Sequence, residues 1–144
     1  MARGYPDFFG FSVFPWYGAL SSVLDNTTVI APGNSATVVD LALKGRSQGG
    51  ILWLWSTASI DTDRVSIIID GTEFAVWGFS VWESYHHNAN YLPILMRYYN
   101  LDIFFVSFEF GPDWVFGTQY KVVITNNGTG NLGVDMRFYY NVIV

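Results

Sequence analysis

Cysteine is absent from this sequence of 144 residues. Disulfide bonds, thiolate metal sites and cysteine nucleophiles are therefore excluded. Charge is scarce as well: charged residues make up 13% of the chain, against about 25% in an average soluble domain. Hydrophobic residues make up 51%, and a monomer in water seldom exposes large apolar patches. We therefore expect part of the surface to be buried against other copies of the chain.

Basic residues are few and scattered, with 7 Lys and Arg against 12 Asp and Glu, a net charge of −5 and an isoelectric point of about 4.6. Binding to the phosphates of a nucleic acid requires clustered cations, and so does adsorption to an anionic membrane. We therefore expect neither a nucleic-acid partner nor a basic membrane-binding surface.

The first residues, MARGYPDFFGFSVFPWYGAL, are rich in aromatic side chains. We call residues 1–24 the N-terminal arm. Glycine and proline interrupt its uncharged run, so we predict no membrane span, and its single base argues against a signal peptide. Two interpretations remain: the arm packs on its own domain as an irregular first strand, or it lays its rings on a neighbouring subunit. In the second case the subunit-interface residues are Tyr5, Phe8, Phe9, Phe11, Phe14, Trp16 and Tyr17.

Residues 25–144 alternate between apolar and polar side chains with the period of β-strands, and no run has a helical period. This pattern predicts one all-β domain, an antiparallel β-sandwich of the jelly-roll type with about eight strands. The Asp70-Gly71 pair predicts a two-residue hairpin turn, and residues 45–50 and 111–117 are predicted loops. The predicted strands are 27–31, 36–44, 51–59, 64–71, 72–82, 101–110, 118–127 and 134–144, with a short strand or helical turn at 94–99.

The tryptophans divide into two groups by their predicted position. Trp53, Trp55 and Trp77 lie within strand periods, and we expect them to fill the core. Exposed rings in loops or at strand ends are suited to stacking on a sugar or contacting a partner. The candidate residues for such ligand or partner contacts are Trp82, Tyr85, Tyr91 and Trp114.

Residues that carry chemistry are sparse. Asp61 and Asp63 offer oxygen ligands to calcium, but aspartate is also an ordinary turn residue, and the turn interpretation is favoured. Glu73 and Glu109 lie beside aromatic residues, as the carboxylates of a glycoside hydrolase do, although glutamates on an outward strand face are commoner. We therefore expect a protein that is not an enzyme, with no catalytic residues, no cofactor and no metal.

Two glycosylation sequons begin at Asn26 and Asn127, and both fall in predicted turns. A chain with this many Asn, Ser and Thr residues contains such matches by chance. Their occupancy by glycans stays open.

The strand series also carries a resemblance. The stretch RVSIIIDGTEF, its aromatic return strand, and the late hairpin YKVVITNNGTGNLGVDMRFYY resemble the small jelly-roll structural proteins of phage and archaeal virions, which are capsid, penton, decoration or tail components. The resemblance implies a virion protein that self-assembles, with copies of itself and other virion proteins as partners. It also implies that a terminal extension, here residues 5–17, ties neighbouring subunits together.

Two alternatives remain open beside the virion. The first alternative is a carbohydrate-binding module with a glycan ligand. The second is a non-viral extracellular filament subunit whose end segment completes a neighbour's sheet. The acidic balance suits an outer or tail position in a virion better than a surface that faces the genome.

Overall fold

The protein is an antiparallel β-sandwich. A computed structural model describes residues 22–84 and 93–143. Within these ranges the chain forms two sheets, of five and four strands, and one short helix. The predicted all-β sandwich is therefore confirmed, with nine strands in place of about eight.

Every strand pair is antiparallel. The five-stranded sheet has the order β1-β9-β3-β7-β6, and the four-stranded sheet has the order β2-β8-β4-β5. The elements are β1 (Ser22–Ile30), β2 (Ser35–Leu41), β3 (Gly45–Ser56), β4 (Arg64–Ile69), β5 (Thr72–Trp77), α1 (Phe79–Ser84), β6 (Ile94–Asn100), β7 (Phe105–Phe116), β8 (Tyr120–Thr125) and β9 (Leu132–Val142).

The core lies between the two sheets and is built from the alternate residues of each strand. Its centre holds aromatic rings that meet edge-on or tilted, an arrangement that aromatic pairs prefer. The largest fully buried side chains include Tyr120, Phe79, Phe108, Phe110, Phe116 and Phe138.

The tight turn between β4 and β5 forms as predicted. Asp70 and Gly71 have φ angles of 49° and 86°, and Ile69 pairs with Thr72 across them. Two consecutive positive φ angles are the requirement of a type I′ turn, which Asp-Gly meets at low cost.

The predicted loop at 45–50 is wrong, because these residues form the first half of β3. A register shift between Ser47 and Gly49 against β9 marks a β-bulge. Gly50 has a φ of 149°, and a Cβ there would overlap the carbonyl oxygen of Arg137. The glycines therefore allow a bulge and a close backbone approach, and they do not reverse the chain.

The predicted loop at 111–117 is also wrong, since β7 continues to Phe116. Its partner strand is displaced by a register shift between Arg46 and Gln48, and Asp113 adopts a φ of 69° at this irregularity. At the other end, the strand predicted from residue 101 begins only at Phe105, after a turn.

The return strand predicted at 72–82 is shorter than expected. It ends at Trp77, where Gly78 has a φ of 64°, and α1 follows. Phe79 of α1 is fully buried and packs edge-on against Phe108. Residues 94–100 form a strand. Over residues 22–84 and 93–143, no helix is both long and apolar enough to cross a membrane.

Candidate binding face

The outer face of the five-stranded sheet carries large apolar side chains in its middle. On β3, the central strand, Ile51, Trp53 and Trp55 expose 42%, 42% and 40% of their surface. Tyr98 of β6 and Phe105 of β7 extend the same surface. We call these five residues the aromatic face. A sheet face that meets water is usually polar, so this face has the character of a contact surface.

The prediction that Trp53 and Trp55 fill the core is therefore wrong. Leu52 and Leu54 are fully buried in their place. Both sets are apolar, so strand alternation shows that they lie on opposite faces and does not show which face is inside.

The same error affects Trp77, which exposes 56% of its surface. It lies on β5, an edge strand of the other sheet. The guanidinium of Arg64 lies over its ring at 5.0 Å from the centroid, a cation–π contact. Trp77 is thus an exposed tryptophan remote from the aromatic face.

The rings of the aromatic face contact one another. Trp53 and Phe105 have centroids 6.4 Å apart with planes at 51°, and Phe105 and Tyr98 have centroids 5.9 Å apart with planes at 57°. Ser107 of β7 pairs with Trp53 on one side and with Tyr98 on the other. The rings therefore surround a small residue near the middle of the face.

Trp55 lies flat against the sheet, over Gly133 of β9. The two residues are paired in register. A Cβ built at Gly133 would overlap the indole and lie 2.5 Å from its Nε1 atom. The absence of a side chain at Gly133 thus makes room for the ring, which fixes the ring's orientation.

Paired charges border the rings on both sides. Towards β1, the guanidinium of Arg137 donates to the carboxylate of Asp25 at 2.6 Å, and this hydrogen bond raises the pKa of Arg137. Towards β6, Arg97 donates to the carboxylate of Glu109. Ile51 therefore lies between two ion pairs, whereas the neighbour of Trp53 on β9 is the carboxylate-bearing Asp135.

A shallow depression of about 410 Å³ lies beside Trp53, between β1, β9 and β3. Its wall includes the carboxylate of Asp135, which accepts a hydrogen bond from the hydroxyl of Thr27 at 3.0 Å. Asp25 and Arg137 close the other side. An indole beside carboxylates and a guanidinium offers stacking and hydrogen bonds to a polar ligand.

Most of the site residues predicted from the sequence are outside the part of the chain that the structure describes. The seven rings of the N-terminal arm lie outside the described residues, as do Tyr85 and Tyr91. Trp82 is placed in α1, but its side chain is not described. The prediction that Trp114 is a loop residue is wrong: it lies on β7, half-buried, with its ring edge-on to Phe74 at 5.5 Å.

Asp61 and Asp63 act as loop anchors. Asp63 is 1% exposed, and its carboxylate accepts the backbone N–H groups of Asn127 at 2.7 Å and Gly128 at 3.0 Å; its burial raises its pKa. Asp61 accepts the backbone N–H of Ser80 at 2.7 Å. The part of the chain that the structure describes holds no group of three metal-ligating residues. These contacts support the turn interpretation.

Glu73 and Glu109 lie on different sheets. Glu73 of β5 accepts hydrogen bonds from Arg64 and Ser66, which lower its pKa, the Arg64 bond most. Glu109 of β7 pairs with Arg97. The two carboxylates therefore do not face one another across a shared cleft.

The sequons differ in their setting. Asn26 lies within β1, so its predicted turn is wrong, and its amide points towards the backbone carbonyl of Val38 at 3.4 Å. Asn127 follows β8, and its amide nitrogen donates to the carbonyl of Thr62 at 3.0 Å. Both side-chain nitrogens therefore have protein partners.

No family model matches the sequence, and no curated protein matches it. Among solved structures, the crystal structure of FLHE is similar with a TM-score of 0.35 and 8% sequence identity, covering 85% of this chain and 98% of that one.

Proposed function

We propose that the chain is a structural subunit that self-assembles and that the aromatic face is its main contact surface. The observation that carries this proposal is the position of Ile51, Trp53 and Trp55. They are exposed on the central strand of a sheet, where a monomer would place polar residues. Tryptophan and tyrosine are enriched among the residues that dominate binding energy at protein interfaces.

The arrangement around the rings also supports an interface. Protein interfaces have an apolar centre depleted of charge and a polar rim. Here the uncharged residues of the aromatic face lie in the centre, and the Asp25–Arg137 and Arg97–Glu109 pairs lie on either side of Ile51. Because each pair is already neutral, the pairs add no net charge at the border of a docked partner.

We place the subunit in a virion, as a capsid, penton, decoration or tail component. The sandwich fold and the resemblance of its strand series support this placement. The net charge of −5 suits an outer or tail position, because a surface that meets nucleic acid requires clustered cations.

Sedimentation velocity tests the assembly with a matched pair of variants. A tryptophan side chain carries roughly 250 Å², so the exposed 42% of Trp53 represents about 100 Å². Burying that area contributes about 2.5 kcal/mol, or about 70-fold in the dissociation constant. We expect Trp53→Thr to weaken association by about this factor, since threonine keeps the strand propensity.

Trp77→Thr is the control, because Trp77 is an exposed tryptophan on the other sheet. It should leave the sedimentation profile unchanged. A full-length protein that stays monomeric at high concentration would contradict the proposal. Equal effects of both variants would show that the aromatic face is not the main contact surface.

A carbohydrate-binding module is the second candidate, and the depression beside Trp53 favours it. That depression combines an indole with the carboxylates of Asp25 and Asp135, a combination suited to a sugar. Screening the protein against a panel of polysaccharides tests this function. Saturable binding by a monomer, lost in Trp53→Thr and kept in Trp77→Thr, would favour it over assembly.

A further inference from the structure

We propose that the aromatic face is the receptor for the aromatic part of the N-terminal arm, residues 5–17, of a second copy of this chain. The inference rests on the proposed self-assembly and names the two surfaces that meet. The face is well ordered by its contacts: Trp55 rests on Gly133, and Phe105 contacts both Trp53 and Tyr98. It therefore presents fixed rings to an incoming segment, which lowers the ordering cost of docking.

The chemistry of the two surfaces matches. The arm has no charged residue from Phe8 to Leu24, and none of the five residues of the aromatic face is charged, although Asp135 adjoins Trp53 on β9. Aromatic rings pair well edge-on or offset, so seven rings in the arm and four on the face have suitable partners in one another.

The size of the aromatic face favours an inserted segment over a flat contact between two faces. Its large side chains expose roughly 100 Å² each, so Ile51, Trp53, Trp55 and Tyr98 together offer about 400 Å². A standard interface buries about 800 Å² on each partner. When two copies each lay an arm on the other's face, each copy buries one face and one arm, which brings the area per partner to about 800 Å².

The direction of β1 favours a second copy over the chain's own face. Val29 pairs with Gly133, where Trp55 lies, whereas Ser22 pairs with Tyr140 at the far end of the strand. Seven residues of β-strand span about 23 Å. β1 therefore begins at the end of the sheet remote from Trp55, so residues 5–17 of the same chain would reach their own face only by a reversal before Ser22.

Chemical cross-linking tests the contact directly, because the natural chain has no cysteine. Full-length Ser12→Cys and Ser107→Cys variants are co-expressed and treated with a short bismaleimide. Ser12 lies among the rings of the arm and Ser107 at the middle of the aromatic face, and both substitutions keep every ring. Because each chain carries one cysteine, a link between positions 12 and 107 joins two molecules.

The control replaces Ser107→Cys with Thr37→Cys, an exposed position on β2 of the other sheet. We expect a strong 12–107 link by mass spectrometry and no 12–37 link above background. Equal yields of the two links, or no 12–107 link, would overturn the inference.

Three further outcomes separate this inference from the proposed function. If the variants sediment as assemblies but form no 12–107 link, self-assembly stands and the arm does not occupy the face. If the double variant Ser12→Cys/Ser107→Cys links only within a monomer, the arm covers its own face, which overturns docking on a second copy. A Ser107→Cys site that stays open to a bulky maleimide dye in the assembly also overturns it and leaves the face to another occupant such as a glycan.

Discussion

The placement of Trp55 on Gly133 gives a prediction about stability. In Gly133→Ala, the added methyl group occupies the volume of the indole, because a Cβ at this position overlaps the ring. Overpacking typically costs about 1–3 kcal/mol. Trp55 is 40% exposed and the ring has room to swing outward, so we expect the lower part of that range, about 1–2 kcal/mol.

Urea unfolding measures this cost. For an m-value of about 2 kcal/mol/M, the midpoint should fall by about 0.5–1 M. Gly117→Ala is the control, since the nearest atom to a Cβ there is an oxygen of Asp70 at 3.6 Å, an ordinary contact. Its midpoint should remain within about 0.3 M of the natural protein.

A double-mutant cycle decides whether the ring causes the effect. In a Trp55→Thr background the methyl group of Gly133→Ala meets no indole, so its cost should fall close to zero. The same cost in both backgrounds would refute the reasoning, because the loss would then arise from the backbone of β9 and not from the ring.

Two further predictions concern individual polar groups. Backbone N–H groups of Gly117, Thr118 and Gln119 donate to the carboxylate of Asp70 and hold its pKa well below the ordinary 3.8. A carboxyl whose pKa is lower in the folded protein than in the unfolded chain stabilises the fold fully above the unfolded pKa, and this stability is lost as pH falls from there through the folded pKa. The gap in unfolding midpoint between the natural protein and Asp70→Asn should therefore be largest near neutral pH and should shrink below about pH 4. A gap that does not change with pH would contradict this. The hydroxyl of Tyr120 is buried with no hydrogen-bond partner among the residues described. Tyr120→Phe should therefore leave the thermal midpoint unchanged or raise it, with a gain in stability of up to about 1 kcal/mol. A clear fall in the midpoint measured by calorimetry would indicate a partner outside those residues.

Features set by neighbouring residues could be predicted from the sequence. The Asp70-Gly71 turn follows from two adjacent residues that tolerate positive φ, and the structure has it at the predicted place. The strand series of the sandwich follows from alternation and turn spacing, and it is confirmed as a fold class. The late strand predicted at 134–144 corresponds closely to β9.

The candidate site could not be predicted in the same way. Glycines at 45–50 are compatible with a turn or with a bulge, and only the pairing of β3 with two neighbours distinguishes them. The apolar residues on both sides of β3 then hide which set is inside. The low content of charged residues, 13% of the chain, did indicate that some sheet surface is exposed and apolar. It did not indicate which strand carries that surface.

One extra residue in β3 determines which side of the sheet receives the tryptophans. Before the bulge, odd-numbered residues such as Gly45 and Ser47 point inward; after it, the even-numbered Leu52 and Leu54 do. An unbroken strand with the first phase would carry Trp53 and Trp55 into the interior. A single-residue insertion thus exchanges the set of side chains that faces the core with the set that faces outward along the second half of β3, and the outer surface of the sheet becomes apolar without a change in any side chain.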